Sequence, residues 1–265
     1  MKGICLYHKN CADGFAAATA VYHRYGEDYF YKAVQYGDDP PDVSGRDVLI
    51  VDFSFKRDVL LQMKKVAKSI VVLDHHKTAE KELEGLDFCK FDMSKSGAVM
   101  TWEYLFREPI PKLFEYIQDR DLWKWELPKS REISAALRLV DKNFDLWRSY
   151  FDNSRIDSLI KKGAVVLEYQ NNCVESVANG DVGKIEIEGY TVPCTNITHL
   201  ISETLQELAK GQPFAVGYFD TNDKRIYSLR SAPDGVDVSE IARKNGGGGH
   251  KHAAGFTRPL PPILI

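Results

Sequence analysis

No long apolar run, no paired-cysteine pattern and no strong basic stripe occur in this chain of 265 residues. Each absence removes a class of protein. Crossing a bilayer takes roughly 18 consecutive apolar residues, and no window comes near that, so no membrane role is expected. The apolar run in the opening segment, MKGICLYHKN, is too short for a signal peptide. The five cysteines (Cys5, Cys11, Cys89, Cys173, Cys194) are odd in number and widely spaced, with no CxxC pair. That pattern excludes a secreted disulfide framework and a CxxC zinc site, and reads as reduced thiols in a cytoplasmic protein. Net charge is −3 with acids and bases intermixed. Gripping a long nucleic acid usually takes a basic stripe. Any nucleotide partner is therefore expected to be short, and no long duplex is expected.

What is present is enough apolar material for a sizeable core, 44% of residues, in a chain long enough for two domains. The first half alternates strand-like and helix-like segments. Gly3 to His8 is a short apolar strand, and Gly14 to Tyr25 an alanine-rich helix. Asp47 to Phe53 and Ser69 to Leu73 are nearly continuous apolar runs, as strands buried on both faces require. A helix over Lys56 to Lys68 separates them, and this rhythm predicts a parallel sheet. From Pro109 to Asn179 the pattern is mostly helical, with a long periodic stretch over Ser154 to Val177. Strand patterns return at Lys184 to Ile187, Phe214 to Phe219 and Arg225 to Ser231, around a helix near Leu200 to Ala209. The expected division is a catalytic domain over 1–153, a helical connector over 154–181 and a smaller α/β domain over 182–265.

Acids and histidines fall where these strands end. His8 closes the first strand and leads to Asn10-Cys11-Ala12-Asp13-Gly14; Asp52 closes DVLIVDF; Asp74-His75-His76 closes SIVVLDHH. Ligands of open parallel sheets bind at the carboxyl ends of the strands. Singly, His8, Asp52 and Asp119 are more simply explained as turn or cap residues. Jointly with Asp-His-His they predict one cluster, and mixed carboxylate and imidazole donors suit Mn²⁺, Fe²⁺ or Zn²⁺. A further carboxylate comes from Gln118-Asp119-Arg120-Asp121, with Asp121 the rival of Asp119. Near the C-terminus, Gly246 to Gly249 lead into His250 and a small-residue segment. Such a glycine loop brings backbone N–H groups close to an anion. His250 and Arg230 can each donate to a phosphoryl oxygen. Trp123 and Trp125 are candidates for base stacking or for the core.

LDHH and GGGGHKHAAGF, in this order, make the chain resemble the DHH/DHHA1 phosphoesterases, the group that holds nanoRNases, cyclic-dinucleotide phosphodiesterases and RecJ-type exonucleases. The resemblance spans nearly the whole chain, with His8…Cys11-Ala12-Asp13-Gly14 matching the first motif and Val51-Asp52 the second. It implies an α/β fold: a parallel-sheet DHH domain, a helical connector and a smaller DHHA1 domain, with the active site in the cleft between the two. It implies two Mn²⁺ ions, one held by His8 and the first-motif residues, the other by Asp13, His75 and Asp119, with Asp52 bridging. It places His76 at the substrate, with Arg230, Gly248, Gly249 and His250 on a phosphate. The expected activity is metal-dependent hydrolysis of short nucleotide phosphodiesters or phosphomonoesters, with catalytic roles for His76, Asp52 and Asp13. One departure stands out: Cys11 occupies the place of a family aspartate. A thiolate there shifts preference toward Zn²⁺ or Fe²⁺, and a metal site impaired by Cys11 leaves a nucleotide sensor as one alternative. The other is a pyrophosphatase-like hydrolase, which the resemblance implies shares the catalytic lobe but not the glycine-rich histidine loop. The oligomeric state is open, a homodimer included.

Overall fold

The computed structural model describes residues 2–260 and divides into two compact units, Met1–Leu167 and Glu168–Ile265. The first unit contains, in chain order, β1 (Gly3–His8), α1 (Ala12–Tyr25), β2 (Tyr29–Val34), β3 (Asp47–Val51), α2 (Arg57–Val66), β4 (Ser69–Asp74), α3 (Lys77–Glu82) and β5 (Cys89–Phe91). The helices α4 (Gly97–Leu105), α5 (Lys112–Asp121), α6 (Ser130–Leu137) and α7 (Phe144–Ser149) follow. The long helix α8 (Ile156–Ala178) crosses the division between the units.

The five strands are all parallel, in the order β2-β1-β3-β4-β5. Alternate side chains point to opposite faces of a strand, and here both faces are covered. Ile4, Leu6, Val48, Ile50, Ile70 and Val72 pack with Leu60 and Met63 of α2. Cys5, Leu49, Val51 and Leu73 face the other way, against α1, α4, α5 and α6. This two-sided burial is why β3 and β4 carry continuous rather than alternating apolar sequence. The edge strand β2, YFYKAV, is only half-buried and gives a weaker signal. In α1, Ala16, Ala17, Ala18 and Ala20 are fully buried; small side chains on most sides let this helix sit between the sheet and its neighbours. Phe15 stacks on Phe144 with centroids 4.8 Å apart, and Trp147 meets Phe15 edge-on at 4.9 Å.

The second unit contains β6 (Gly183–Ile187), β7 (Tyr190–Asn196), α9 (Ile201–Leu208), β8 (Ala215–Asp220), β9 (Lys224–Arg230), α10 (Val238–Lys244), β10 (Gly248–His250) and β11 (Ala253–Pro259). Its six strands follow the order β10-β11-β9-β8-β7-β6. All pairs are antiparallel except β7 with β8, the pair joined through α9. Val192, Phe214, Val216, Leu229, Val238 and Phe256 form its core. The chain is thus an α/β protein with a parallel sheet, a run of helices and a second, smaller α/β unit. The end of its glycine run forms an edge strand, in which Gly248 and Gly249 pair with Gly255 and Ala254 of β11. Among the described residues no helix is long and apolar enough to cross a membrane.

Trp147 is 1% exposed, and its indole N–H donates to the Asp141 carbonyl at 3.1 Å. Trp147→Ala therefore removes the largest fully buried side chain among the described residues together with a partly buried hydrogen bond. It is expected to cost about 3–5 kcal/mol in urea unfolding; a loss below about 1 kcal/mol would contradict this packing.

Candidate metal centre

From β1 the chain passes to β2 on one side and then to β3 on the other, so the strand order reverses at β1/β3. Open parallel sheets leave a crevice at the carboxyl ends of such a pair. The register Tyr7↔Val51 and Val51↔Leu73 brings the ends of β1, β3 and β4 level. His8, Asp52 and Asp74-His75-His76 therefore leave the sheet side by side, joined by Asp13 from the first turn of α1.

His75 Nε2 lies 3.1 Å from Asp52 Oδ1, 3.6 Å from Asp13 Oδ2 and 3.4 Å from Asp121 Oδ2. His8 Nδ1 lies 3.6 Å from Asp52 Oδ2. Ligand atoms of Asp13, Asp52 and His75 fall within 4.8 Å of one another, as do those of His8, Asp52 and His76, so Asp52 belongs to both groups. The supporting contacts are specific. Asp74, fully buried, accepts from the His75 backbone N–H at 2.8 Å and binds His76 Nδ1 at 2.6 Å. That fixes the His76 ring and leaves Nε2 as its outward nitrogen. Asp13 accepts from the N–H groups of Gly97 and Ala98, at the start of α4, at 2.6 and 2.9 Å. Gly97 permits this approach: a Cβ there would stand 2.5 Å from Asp52 Cβ. Gly14 does the same for α1, where a Cβ would stand 2.5 Å from the His8 carbonyl oxygen. Asp52 itself has φ +54°, a left-handed backbone that costs a non-glycine residue of order 1 kcal/mol or more.

Charge is unbalanced at this point. Burial, then Asp52 and Asp121, push the Asp13 carboxyl well above its ordinary value. Burial also acts upward on Asp52, but hydrogen bonds and charge from His75 and His8 outweigh it and hold Asp52 well below the usual range. His75 is pushed up to about 10: its burial is outweighed by Asp52, Asp121 and Asp13. Burial, then Asp52, Asp121 and Asp13, push the Cys11 thiol well up; Cys11 caps the start of α1 and belongs to none of the ligand groups found among the described residues. Asp52 Oδ2, Asp74 Oδ2 and Asp121 Oδ2 are buried without a hydrogen-bond partner. Leaving a buried charged acceptor unsatisfied is costly. Three carboxylates and three imidazoles are donors of the kind that divalent cations take, and the buried acid and histidine groups could hold a metal ion.

The acidic pair on α5 needs a correction. The structure brings Asp121 to the cluster rather than Asp119. Asp119, 4% exposed, spends both oxygens on the backbone N–H groups of Glu126 (2.9 Å) and Leu127 (3.2 Å), and so ties down the loop after α5. Two helical residues two apart point roughly 200° away from each other, so only one of the pair can face the site. Sequence reasoning also left out Asp74 as a functional group, although it adjoins both histidines. Trp123 and Trp125 are half-buried, 5.1 Å apart, with the guanidiniums of Arg120 and Arg131 over their rings. In the second unit Arg230 and His250 both pair with Ala253, so they occupy one row across β9, β11 and β10. Arg230 also donates to Ser202 Oγ at 2.9 Å.

No protein-family model matches the chain. Among curated proteins it is 32% identical over 280 residues to the uncharacterized protein R106 of Acanthamoeba polyphaga mimivirus, covering 96% of this chain and 66% of that protein. It is 27% identical over 211 residues to the oligoribonuclease NrnB of Bacillus subtilis (strain 168), covering 70% of this chain and 52% of the relative. The chain thus spans between about half and two thirds of the length of these relatives. Among solved structures, an exopolyphosphatase-related protein from Bacteroides fragilis superposes with TM-score 0.57 at 13% identity, covering 96% of this chain and 86% of that one. The pGpG-specific phosphodiesterase PggH from Vibrio cholerae superposes with TM-score 0.50 at 12% identity, covering 98% and 94%. At such identities the likeness is one of fold.

The two aspartates of α5 give opposite expectations for stability in the absence of added metal. Asp119→Ala strands two backbone donors and is expected to cost about 1–3 kcal/mol in urea unfolding. Asp121→Ala removes one of several crowded carboxylates and is expected to change stability by less than about 1 kcal/mol. Equal losses would contradict the assignment.

Proposed function

We propose that the chain is a DHH/DHHA1-type phosphoesterase that depends on divalent metal ions and hydrolyses short nucleotide esters. The observation that carries this reading is the convergence of Asp13, Asp52, Asp121, His8, His75 and His76 from separate segments, most of them buried, on one small space. The match to an oligoribonuclease and the fold shared with a pGpG phosphodiesterase support the same class. Asp13, Asp52, His75 and Asp121 would hold one cation, and His8, Asp52 and His76 a second. Mn²⁺ suits the carboxylates and imidazoles, and Zn²⁺ or Fe²⁺ would be favoured if the Cys11 thiolate joined them. Such cations supply positive charge that activates water and stabilises phosphoryl oxygens.

The chain's own groups carry the rest. Asp52 takes part in both ligand groups and so sets their spacing. Asp74 holds His76 by Nδ1, which keeps the other ring nitrogen turned toward His8 and Asp52. Asp13 is held by the two backbone donors of α4 and cannot swing away. Arg230 and His250, on one row of the second sheet, are proposed to bind phosphate, with the backbone of Gly248 and Gly249 beside them.

The test is hydrolysis of the linear dinucleotide pApA with Mn²⁺, Zn²⁺ or Fe²⁺, followed by anion-exchange chromatography. Wild type is expected to release mononucleotide, and Asp52→Ala and His75→Ala each to lose at least about 10³-fold in kcat/KM, whereas His250→Ala mainly raises KM. Binding of pApA without turnover under any of the three metals would replace this reading with a nucleotide sensor. Turnover of pyrophosphate or polyphosphate in place of pApA would replace it with a pyrophosphatase-like hydrolase.

A further inference from the structure

The carboxylate and imidazole cluster accounts for a phosphate; the same rim of the sheet also carries a surface suited to the base. Tyr36 follows β2 by two residues, and β2 ends at Val34, the register partner of His8. The segment is held in a turn: the Asp38 backbone N–H donates to the Gln35 carbonyl at 3.1 Å, and the Gln35 N–H to Asp38 Oδ2 at 3.1 Å. The Tyr36 ring lies 4.9 Å from Phe53 at 40°, and meets His8 and His76 nearly edge-on at 6.1 and 6.3 Å.

An exposed tyrosine on a loop needs no explanation by itself. This one differs from an ordinary surface tyrosine in its neighbours. Phe53 is 1% exposed and His76 is 9% exposed, yet Tyr36, whose ring packs against them, is 59% exposed as a residue. Its hydroxyl has no hydrogen-bond partner among the described residues. A large aromatic is thus set by a turn, backed by a buried phenylalanine and left open beside two of the candidate ligands. Trp123 and Trp125 are weaker candidates, because they pack on each other and guanidiniums lie over them.

We infer that Tyr36 is the platform on which the nucleobase next to the bound phosphate stacks, an inference that rests on the phosphoesterase reading. Every base offers a π-face, so such a platform gives preference for nucleotides over other phosphate esters without choosing among bases. The hydroxyl is not required; the ring is.

Calorimetric titration with AMP and with ribose 5-phosphate, in the presence of Mn²⁺, tests this by removing the base alone. Wild type is expected to bind AMP roughly 5- to 150-fold more tightly than ribose 5-phosphate, which corresponds to about 1–3 kcal/mol of stacking. Tyr36→Ala is expected to bring the two within about twofold, and Tyr36→Phe to keep the wild-type ratio. An unchanged ratio in Tyr36→Ala, or an equal loss in Tyr36→Phe, overturns the inference. If wild type hydrolyses pApA yet shows no preference for AMP, the stacking role alone is wrong. If it hydrolyses no phosphoester and binds neither probe, both readings fall together.

Discussion

Burying several carboxylates at the end of one parallel sheet is the constraint around which the first unit is organised. Asp13, Asp52 and Asp74 are at most 1% exposed, and Asp121 presents a buried oxygen to the same space. Each buried charge carries a desolvation penalty of several kcal/mol, and like charges so near one another add repulsion. A structure tolerates this only if positive charge, protons or donors arrive in compensation. Here two backbone N–H groups serve Asp13, two histidines serve Asp52, and His76 serves Asp74. The compensation is incomplete: Asp52 Oδ2, Asp74 Oδ2 and Asp121 Oδ2 are buried without a hydrogen bond, the first and last meeting an imidazole nitrogen only at 3.6 and 3.4 Å. The pKa of Asp13 is raised by burial and then by Asp52 and Asp121, and that of His75 by the neighbouring carboxylates in spite of its burial. Metal binding displaces protons from its ligands, so a divalent cation would answer the whole deficit at once.

The backbone is shaped to bring these groups together. Gly97 and Gly14 give up their side chains so that α4 and α1 can approach Asp52 and His8 closely. Asp52 accepts a left-handed backbone. Asp119 spends its charge on a loop and thereby holds the end of α5, where Asp121 sits. Groups at such a distance from the chemistry act by keeping the ligands in place, a role that would be lost if each residue were judged only by whether it touches a cation.

The fold was legible where burial is two-sided. DVLIV and SIVVLD read as strands because both of their faces are covered, and the acids and histidines that follow them read as a rim because parallel strands end level. The half-exposed strand β2 and the three-residue strand β5 lacked that signal. In the second unit, Gly248 and Gly249 looked like a loop because glycine carries no strand signal; only pairing with β11 makes them a strand. Asp119 and Asp121 could not be separated by sequence, since the choice turns on the rotation of α5 about its axis and on the loop beyond it. Tyr36 gave no signal of its own, because its significance lies in Phe53 and His76 from other strands.

A cation completing the cluster is the central requirement of the proposed chemistry, and anomalous diffraction from a Mn²⁺-soaked crystal tests it most directly. The expected result is a peak about 2.0–2.5 Å from the carboxylates of Asp13, Asp52 and Asp121 and from His75 Nε2, with a second peak near His8 and His76. Density for Mn²⁺ only elsewhere on the molecule, with Asp52 and His75 still joined directly, would contradict it.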